Sequence, residues 1–493
     1  MSLFKIFKES GLHYDHQYVP GLNELNGKFA KTGSCVKGGF YYINAKHILD
    51  YILYGTILRL IEIPSNAQTR EDGYKWRSDK IILLREYSLF DISTFEMLIK
   101  LGADVPKECI IFAATHGKLD LLIYLIELRL NKKDYFTAFE SATEHGQLNI
   151  ILHIIDYIDR TTDSYFMVIH KAIKNGHIDV VKYLLKLPGV HELESIFLCD
   201  NVPFILCAQN DRLEILKYLI EKYPSFICYH EIITNAVKNG HLSIVKHYQQ
   251  HILPNNKYAT VAAIRGHKSL VEFFVELSCD IIPDIIKSLY EIIRQKDSSI
   301  AMYLLEKSHH MDNEIIANSI TSSVEYGHVD VLKFLIGKCE ENVFKIISSG
   351  SIIIAARNNH LDMIKFLFES GYKPSIFIID ESLKNAAGNG HNSMVQYLIK
   401  LGARVWSMKL TNAMLKAAMD GNSELIKILV ENNLCMNKIQ HTLYVACKHD
   451  HIDIVEYLMP KVLKTENYIR NAINVAIEHD HTDIVEFLTN NIN

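Results

Sequence analysis

The chain has 493 residues, 48% hydrophobic and 22% charged, and its 57 acidic against 52 basic residues leave a net charge of −5. With no cationic excess to neutralise phosphates, nucleic-acid binding is disfavoured. No apolar run approaches the ~18 residues of a membrane span, and the opening Met1-Ser2-Leu3-Phe4-Lys5-Ile6-Phe7-Lys8-Glu9 lacks the apolar core of a secretory signal, so an intracellular, soluble protein is expected.

The first 90 residues follow no repeat and read as a small α+β domain, residues 1–90. Turn residues cluster in Lys31-Thr32-Gly33-Ser34-Cys35-Val36-Lys37-Gly38-Gly39. Strands are expected at Phe40–Ile43, Ile57–Ile63 and Ile81–Leu84, with a helix through His47–Ile52 and a polar loop from Pro64 to Gly73. Thr94–Val105 matches the second helix and exit of the units that follow, and is read as a capping half repeat.

From there a phrase of about thirty residues recurs thirteen times, its clearest copy being Asn175-Gly176-His177-Ile178-Asp179-Val180-Val181-Lys182-Tyr183-Leu184-Leu185. Aligned on His177, the copies are anchored at Lys118, Gln147, His177, Arg212, His241, His267, Asp297, His328, His360, His391, Asn422, His451 and His481. Five residues before the anchor most copies carry alanine, as at Ala142, Ala236 and Ala386, small enough for close helix approach. Two residues after it stands Asp, Asn, Glu or Ser in every copy, expected to cap a second helix starting there or to set negative charge at its positive end. Seven residues after it leucine prevails, as at Leu184 and Leu398, and the intervening apolar residues follow three and four spacing. Each unit is therefore a helix, a turn at Gly-His and a second helix, too small to stand alone. The seventh unit, around Asp297, has lost glycine and histidine, so an irregularity is expected there. The long gap before Arg212 suggests an enlarged connector, and the last helix is expected to fray.

The Gly-His turn, the preceding alanine, the Leu-Leu pair and exits such as Leu101-Gly102-Ala103-Asp104 resemble ankyrin repeats over residues 91–493. The Thr-Pro-Leu-His opening is missing throughout, with only His170 on its histidine slot, and the units run short, so inter-repeat fingers are expected to be short or absent. Together with Gly21-Leu22-Asn23-Glu24-Leu25-Asn26, Gly33-Ser34-Cys35 and Tyr74-Lys75-Trp76-Arg77, the diverged repeat is similar to the ankyrin-repeat proteins of giant amoeba-infecting DNA viruses, the Mimivirus type. That resemblance implies a mainly α fold, an ankyrin-like helical solenoid beside the small α+β domain. It also implies a viral protein made in the host cell, in its cytoplasm, that binds host or viral proteins.

Sites of chemistry are weighed against the repeat. The eight anchor histidines lie one per unit without a second ligand, and His449-Asp450-His451 and His479-Asp480-His481 each include the repeat's own turn residue, so no metal is expected. Nine scattered cysteines without a Cys-x-x-Cys pair read as reduced core thiols. Gly33 to Gly39 lacks the Lys-Ser/Thr pair of a phosphate loop, and Cys35 with His47 lacks an orienting group, so neither cofactor nor catalytic residue is assigned. Tyr372, Arg404 and Trp406 in connectors are candidate partner contacts.

The function expected is a non-enzymatic protein-interaction scaffold with unknown protein partners and no nucleic acid, membrane, cofactor or small-molecule substrate. In an alternative reading, residues 1–90 form an enzymatic or effector module targeted by the array, with a pocket lined by the Gly33 to Gly39 loop and the Trp76 region. Another alternative, an adaptor for host ubiquitin ligases, finds no F-box-like Leu-Pro-rich segment at either end.

Overall fold

A computed structural model describes residues 2–13, 16–27, 29–30, 37–129, 133–159, 163–187, 201–252, 257–278, 281–308, 311–338, 343–403, 410–434, 436–462 and 466–491. The chain divides into two compact units, Met1–Ile252 and Leu253–Asn493. Both contain helix pairs, and the first also carries the sheet.

Among the described residues nine strands precede the first α-helix: β1 Leu3–Phe7, β2 Leu12–His13, β3 His16–Gln17, β4 Gly21–Glu24, β5 Phe40–Asn44, β6 Ile57–Glu62, β7 Thr69–Asp72, β8 Lys75–Ser78 and β9 Lys80–Ser88. Seven form one sheet in the order β4-β9-β6-β1-β5-β8-β7, every described pair antiparallel, while β2 and β3 pair separately. The expected strands at 40–43, 57–63 and 81–84 are β5, β6 and β9. The central strand β1 was not among those expected, because Lys5 sits buried in it and breaks the apolar alternation. The polar segment before Gly73 is also more than a loop. Asp72-Gly73-Tyr74-Lys75 closes a hairpin in which Asp72 pairs with Lys75 and Gly73 takes φ +69, the conformation that selects glycine at the first position of a two-residue turn.

The helix expected at His47–Ile52 is a 3₁₀ helix, Ala45–Tyr54, begun by Asn44, whose side chain accepts from the His47 N–H at 3.3 Å. It buries Ile48, Leu49 and Ile52. A second apolar cluster gathers Phe7, Tyr18, Phe40, Tyr42, Ile61, Ile81 and Leu83. Of the turn segment at 31–39, residues 31–36 lie outside the described residues, as do 188–200 of the connector before Arg212.

Helix pairs begin after the single helix Ile92–Lys100. The pair Asp163–Asn175 and Ile178–Leu184 is representative. The alanine slot is buried in all ten copies that keep alanine, from Ala113 to Ala476. In the seventh unit the first helix is split into Ile282–Ile286 and Leu289–Ile292, and the second runs Ser299–Lys307. The irregularity expected at Asp297 thus takes the form of a broken helix.

Candidate interaction surface

In a repeat, the positions that folding leaves free are the ones available to a partner, and the anchor is the residue that folding uses most. The first helix of a unit ends in a residue with positive φ, glycine in most copies, such as Gly176 at φ +90. The anchor N–H then reaches back to the carbonyl at the alanine slot, as from His177 to Ala172 at 3.0 Å and from His391 to Ala386 at 3.0 Å, the six-to-one bond of a Schellman turn. The same anchor opens the next helix, its carbonyl accepting from Val181 at 3.0 Å in the His177 unit. One residue therefore closes one helix and starts another.

The second helix begins one residue after the anchor, with the anchor itself as N-cap, as at His177 and His391. This corrects the expectation that the acidic or Ser position marks the start. Residues such as Asp179 and Asp362 lie within the first turn, where a carboxylate acts through its charge at the positive helix end. Among the anchors, Asn422 does cap with its side chain, accepting from the Leu425 N–H at 3.1 Å.

The anchor side chain points to the preceding unit and donates to the carbonyl three residues before that unit's anchor, one of the carbonyls a helix end leaves without a partner. In the first compact unit, Gln147 donates to Thr115, His177 to Glu144, Arg212 to Lys174 and His241 to Gln209, at 2.8 to 3.0 Å. In the second, His391 donates to Arg357, His451 to Met419 and His481 to Lys448, again at 2.8 to 3.0 Å. A carbonyl can only accept, so the histidine Nε2 carries a hydrogen at each of these contacts. In the seventh unit the role falls to Gln295, which donates to Ile264 at 2.6 Å, and not to Asp297, the residue that alignment selects. His328 donates to the Gln295 carbonyl at 2.8 Å, three residues before Ser298, which is the N-cap of that unit's second helix.

The ladder also explains the glycine. A Cβ at Gly146 would stand 2.5 Å from the His177 Nδ1, one at Gly327 2.4 Å from the His360 Nδ1, and one at Gly421 2.7 Å from His451. Glycine is favoured there by its φ and by the neighbour's side chain lying over it. Asp211, Asn359, Asp450 and Asp480 adopt positive φ in its place. At Asp450 the carboxylate faces the His481 Nδ1 at 3.6 Å.

What remains free is a row on the first helices, at ten, seven, six and three residues before the anchor. In the first compact unit it includes Met167, which is 65% exposed, and Lys171, whose ammonium meets Glu140 at 2.6 Å and Glu144 at 3.4 Å on the preceding first helix. Further on, Gln209 donates to Asn235 at 3.1 Å. In the second compact unit the row includes Lys384, paired with Glu381, then Lys416, Met419 and Tyr444, and the exposed Ile376, Phe377 and Ile477 lie on first helices too. Polar bonds join neighbouring first helices at Lys171 with Glu140 and Glu144 and at Gln209 with Asn235 in the first compact unit, and at Lys416 with the Gly388 carbonyl in the second, with exposed apolar side chains interspersed.

Of the connector residues singled out in the sequence, Arg404 and Trp406 lie outside the described residues. Tyr372 is only 7% exposed, its ring tilted against Phe344 and edge-on to Phe368 at centroid distances of 5.8 and 6.4 Å. Burial raises its phenol above the ordinary range. Cys109, Cys207 and Cys447 are buried free thiols, and burial pushes Cys109 and Cys447 up to about 12, which makes them poor nucleophiles. Cys35 is outside the described residues, and His47 is engaged by Asp50 at 3.3 Å and by the Tyr74 ring. Among the described residues no group of three His, Cys, Asp or Glu could hold a metal ion, and no helix is long and apolar enough to cross a membrane.

Comparison with known proteins agrees with the geometry of the turns. Models of ankyrin repeats match residues 160–220, 383–466 and 414–493. An ankyrin repeat protein of Acanthamoeba polyphaga mimivirus is 36% identical over 104 residues, covering 19% of this chain and 34% of that one. A second from the same virus is 25% identical over 351 residues, covering 68% of this chain and 52% of that one, and a third is 27% identical over 177 residues, covering 34% and 87%. The chain thus spans about a third of the length of the first relative and about half of the second. Among solved structures, a maize pentatricopeptide repeat protein matches with a TM-score of 0.27 and 10% identity over 81% of this chain and 66% of that one, a likeness too low to carry an argument. The recurring turn, the alanine slot, the ladder of anchors and these matches establish that the chain belongs to the ankyrin-repeat proteins of amoeba-infecting viruses.

Proposed function

We propose that the chain is a non-enzymatic scaffold that binds host or viral proteins in the infected host's cytoplasm. Residues 91–493 would supply the repeat array and residues 1–90 a domain of their own. One observation supports this most: the positions that recur are consumed inside the stack, by helix closure, helix start and the bond to the preceding unit, whereas the row on the first helices varies from repeat to repeat.

A variable face on a regular frame is suited to binding by many moderate contacts over a surface already ordered, so little conformational entropy is lost. Exposed Met167, Phe377, Met419 and Tyr444 supply adaptable apolar and aromatic contacts between charged neighbours. Arg404 and Trp406 are proposed as further contacts, whereas Tyr372 presents little surface to a partner.

The reading is tested by proximity labelling in infected amoebae, comparing the full chain with one carrying Met167→Glu, Lys171→Glu and Phe377→Asp. These sites are exposed or half-exposed, so folding should persist and labelled proteins should be lost selectively. Identical labelling by the two chains would sink the proposal.

A further inference from the structure

The pairing of β1 with β5 runs only from Leu3 opposite Asn44 to Phe4 opposite Ile43, although β1 continues to Phe7 and β5 starts at Phe40. Beside this gap lies a cavity of about 280 Å³ whose lining includes Lys5, His13, Tyr41, Tyr51, Tyr54 and Lys75. It differs from the pocket that an effector head would have been expected to show, since the described part of the Gly33 to Gly39 loop does not line it. Apolar side chains of β1, β5 and the 3₁₀ helix complete its walls.

Lys5 is the unusual member. It is 6% exposed, and among the described residues its ammonium donates one hydrogen bond, to the Tyr41 carbonyl at 2.8 Å, and faces the Tyr18 and Phe7 rings at 5.2 and 5.6 Å. No acidic side chain of the described residues pairs with it. An ammonium can donate three bonds, and a buried charge left short of partners is costly. Burial accordingly holds Lys5 down to about 7. A second ammonium, that of Lys75, lies over the same Tyr41, 4.9 Å from its ring centre, and 6.0 Å from the Tyr51 ring. Two cations thus meet one tyrosine, one at its backbone and one at its ring, in a cavity whose described lining has no carboxylate.

We propose that this cavity binds a small planar organic anion, its acidic group held by Lys5 and Lys75 and its ring laid among Tyr41, Tyr51 and Tyr54. The size fits, since a dry cavity of about 150 Å³ is enough for benzene. The chemistry fits as well. An anion supplies the countercharge and the further acceptors that the described residues do not give Lys5, and bonds between ionised groups are stronger than neutral ones. The tyrosine rings offer flat apolar faces that a neutral or a charged aromatic would share, so the acidic group decides selectivity. Carboxylate and phosphate would both serve.

Calorimetric titration of the full chain at pH 7 with benzoate, phenyl phosphate and benzyl alcohol tests this. At least one anion should bind about tenfold or more tighter than the alcohol, the scale of one charge-assisted hydrogen bond, and the stronger of the two identifies the acidic group. Lys5→Met and Lys75→Met should each remove most of that preference. Lys75 is only half-buried, so its variant remains informative should Lys5→Met fail to fold. Failure of both anions to outbind the alcohol, or an anion affinity unchanged in Lys75→Met, overturns the proposal.

Discussion

The contact between Gly146 and His177 lets the stacking of one unit on the next be measured as an energy. Gly146→Ala places a Cβ 2.5 Å from the His177 Nδ1 at a residue with φ +72. The backbone cost of a non-glycine residue in that region is roughly 1–2 kcal/mol. Displacing His177 also loses its 2.9 Å bond to the Glu144 carbonyl, but that carbonyl keeps a second donor, Asn175 at 3.0 Å, so the added loss stays near ~1 kcal/mol and not the larger cost of an orphaned acceptor. Gly102→Ala is the control, with φ +87 and nothing within 4 Å of the new Cβ. Urea denaturation followed by circular dichroism should find Gly146→Ala more destabilising than Gly102→Ala by about 1 kcal/mol or more, an excess that disappears when both glycine variants are made in a His177→Ala background. Gly146→Asn should be milder, since asparagine already takes positive φ at Asn359. Equal costs for Gly146→Ala and Gly102→Ala would refute the idea that the next unit's anchor forces the glycine.

Further outcomes follow from the same contacts. His391→Gln should retain stability within about 0.5 kcal/mol of the parent while His391→Ala loses ~1 kcal/mol or more in the same denaturation assay, because Gln147 already donates from this position. Ala142→Leu should cost roughly 1–3 kcal/mol through overpacking at a fully buried slot, read from the same curves. Lys5, held near 7 in the fold against 10.5 when exposed, disfavours the folded state below pH 7, and that penalty fades as pH rises towards 10.5. Lys5→Met should therefore be stabilising at neutral pH by up to about 4 kcal/mol, with the advantage shrinking by roughly 1.4 kcal/mol per pH unit between pH 7.5 and 9.5. Melting temperatures of the two chains across that range check it, and a constant difference would show that Lys5 is not charged at a cost.

Much of the array was readable because short-range periodicity specifies it: alanine, the turn and leucine recur at fixed offsets within each unit. The ladder was harder, since each of its bonds joins residues about thirty positions apart and no local pattern encodes it. A signal did exist. Lys118, Gln147, His177, Arg212 and Asn422 differ in size and charge yet all carry a side-chain N–H donor, and Asp297, the anchor without one, is where the role passes to Gln295. In the head, β1 was hidden by Lys5, whose buried charge mimics a solvent-facing position in the alternation. The β7 and β8 hairpin was announced by Asp72-Gly73, a turn signal outweighed by the polarity of Thr69 to Asp72 on the sheet edge. The cavity could not have been foreseen, because it arises where two strands part and depends on register.

The central claim is that recurring positions build the stack and the exposed row of the first helices does the binding. Its most direct test measures both properties in the two kinds of variant: helical circular dichroism with urea stability, and recovery of the partners labelled by the parent chain. Changing the row, with Met167→Glu and Met419→Glu, should abolish partner recovery and leave stability within about 0.5 kcal/mol, as expected of exposed sites outside an ion-pair network. Changing anchors, with His177→Gln and His391→Gln, should leave both intact. Partners retained by the row variant, or lost from the anchor variant while its helices remain, would contradict this division between the frame and the surface it displays.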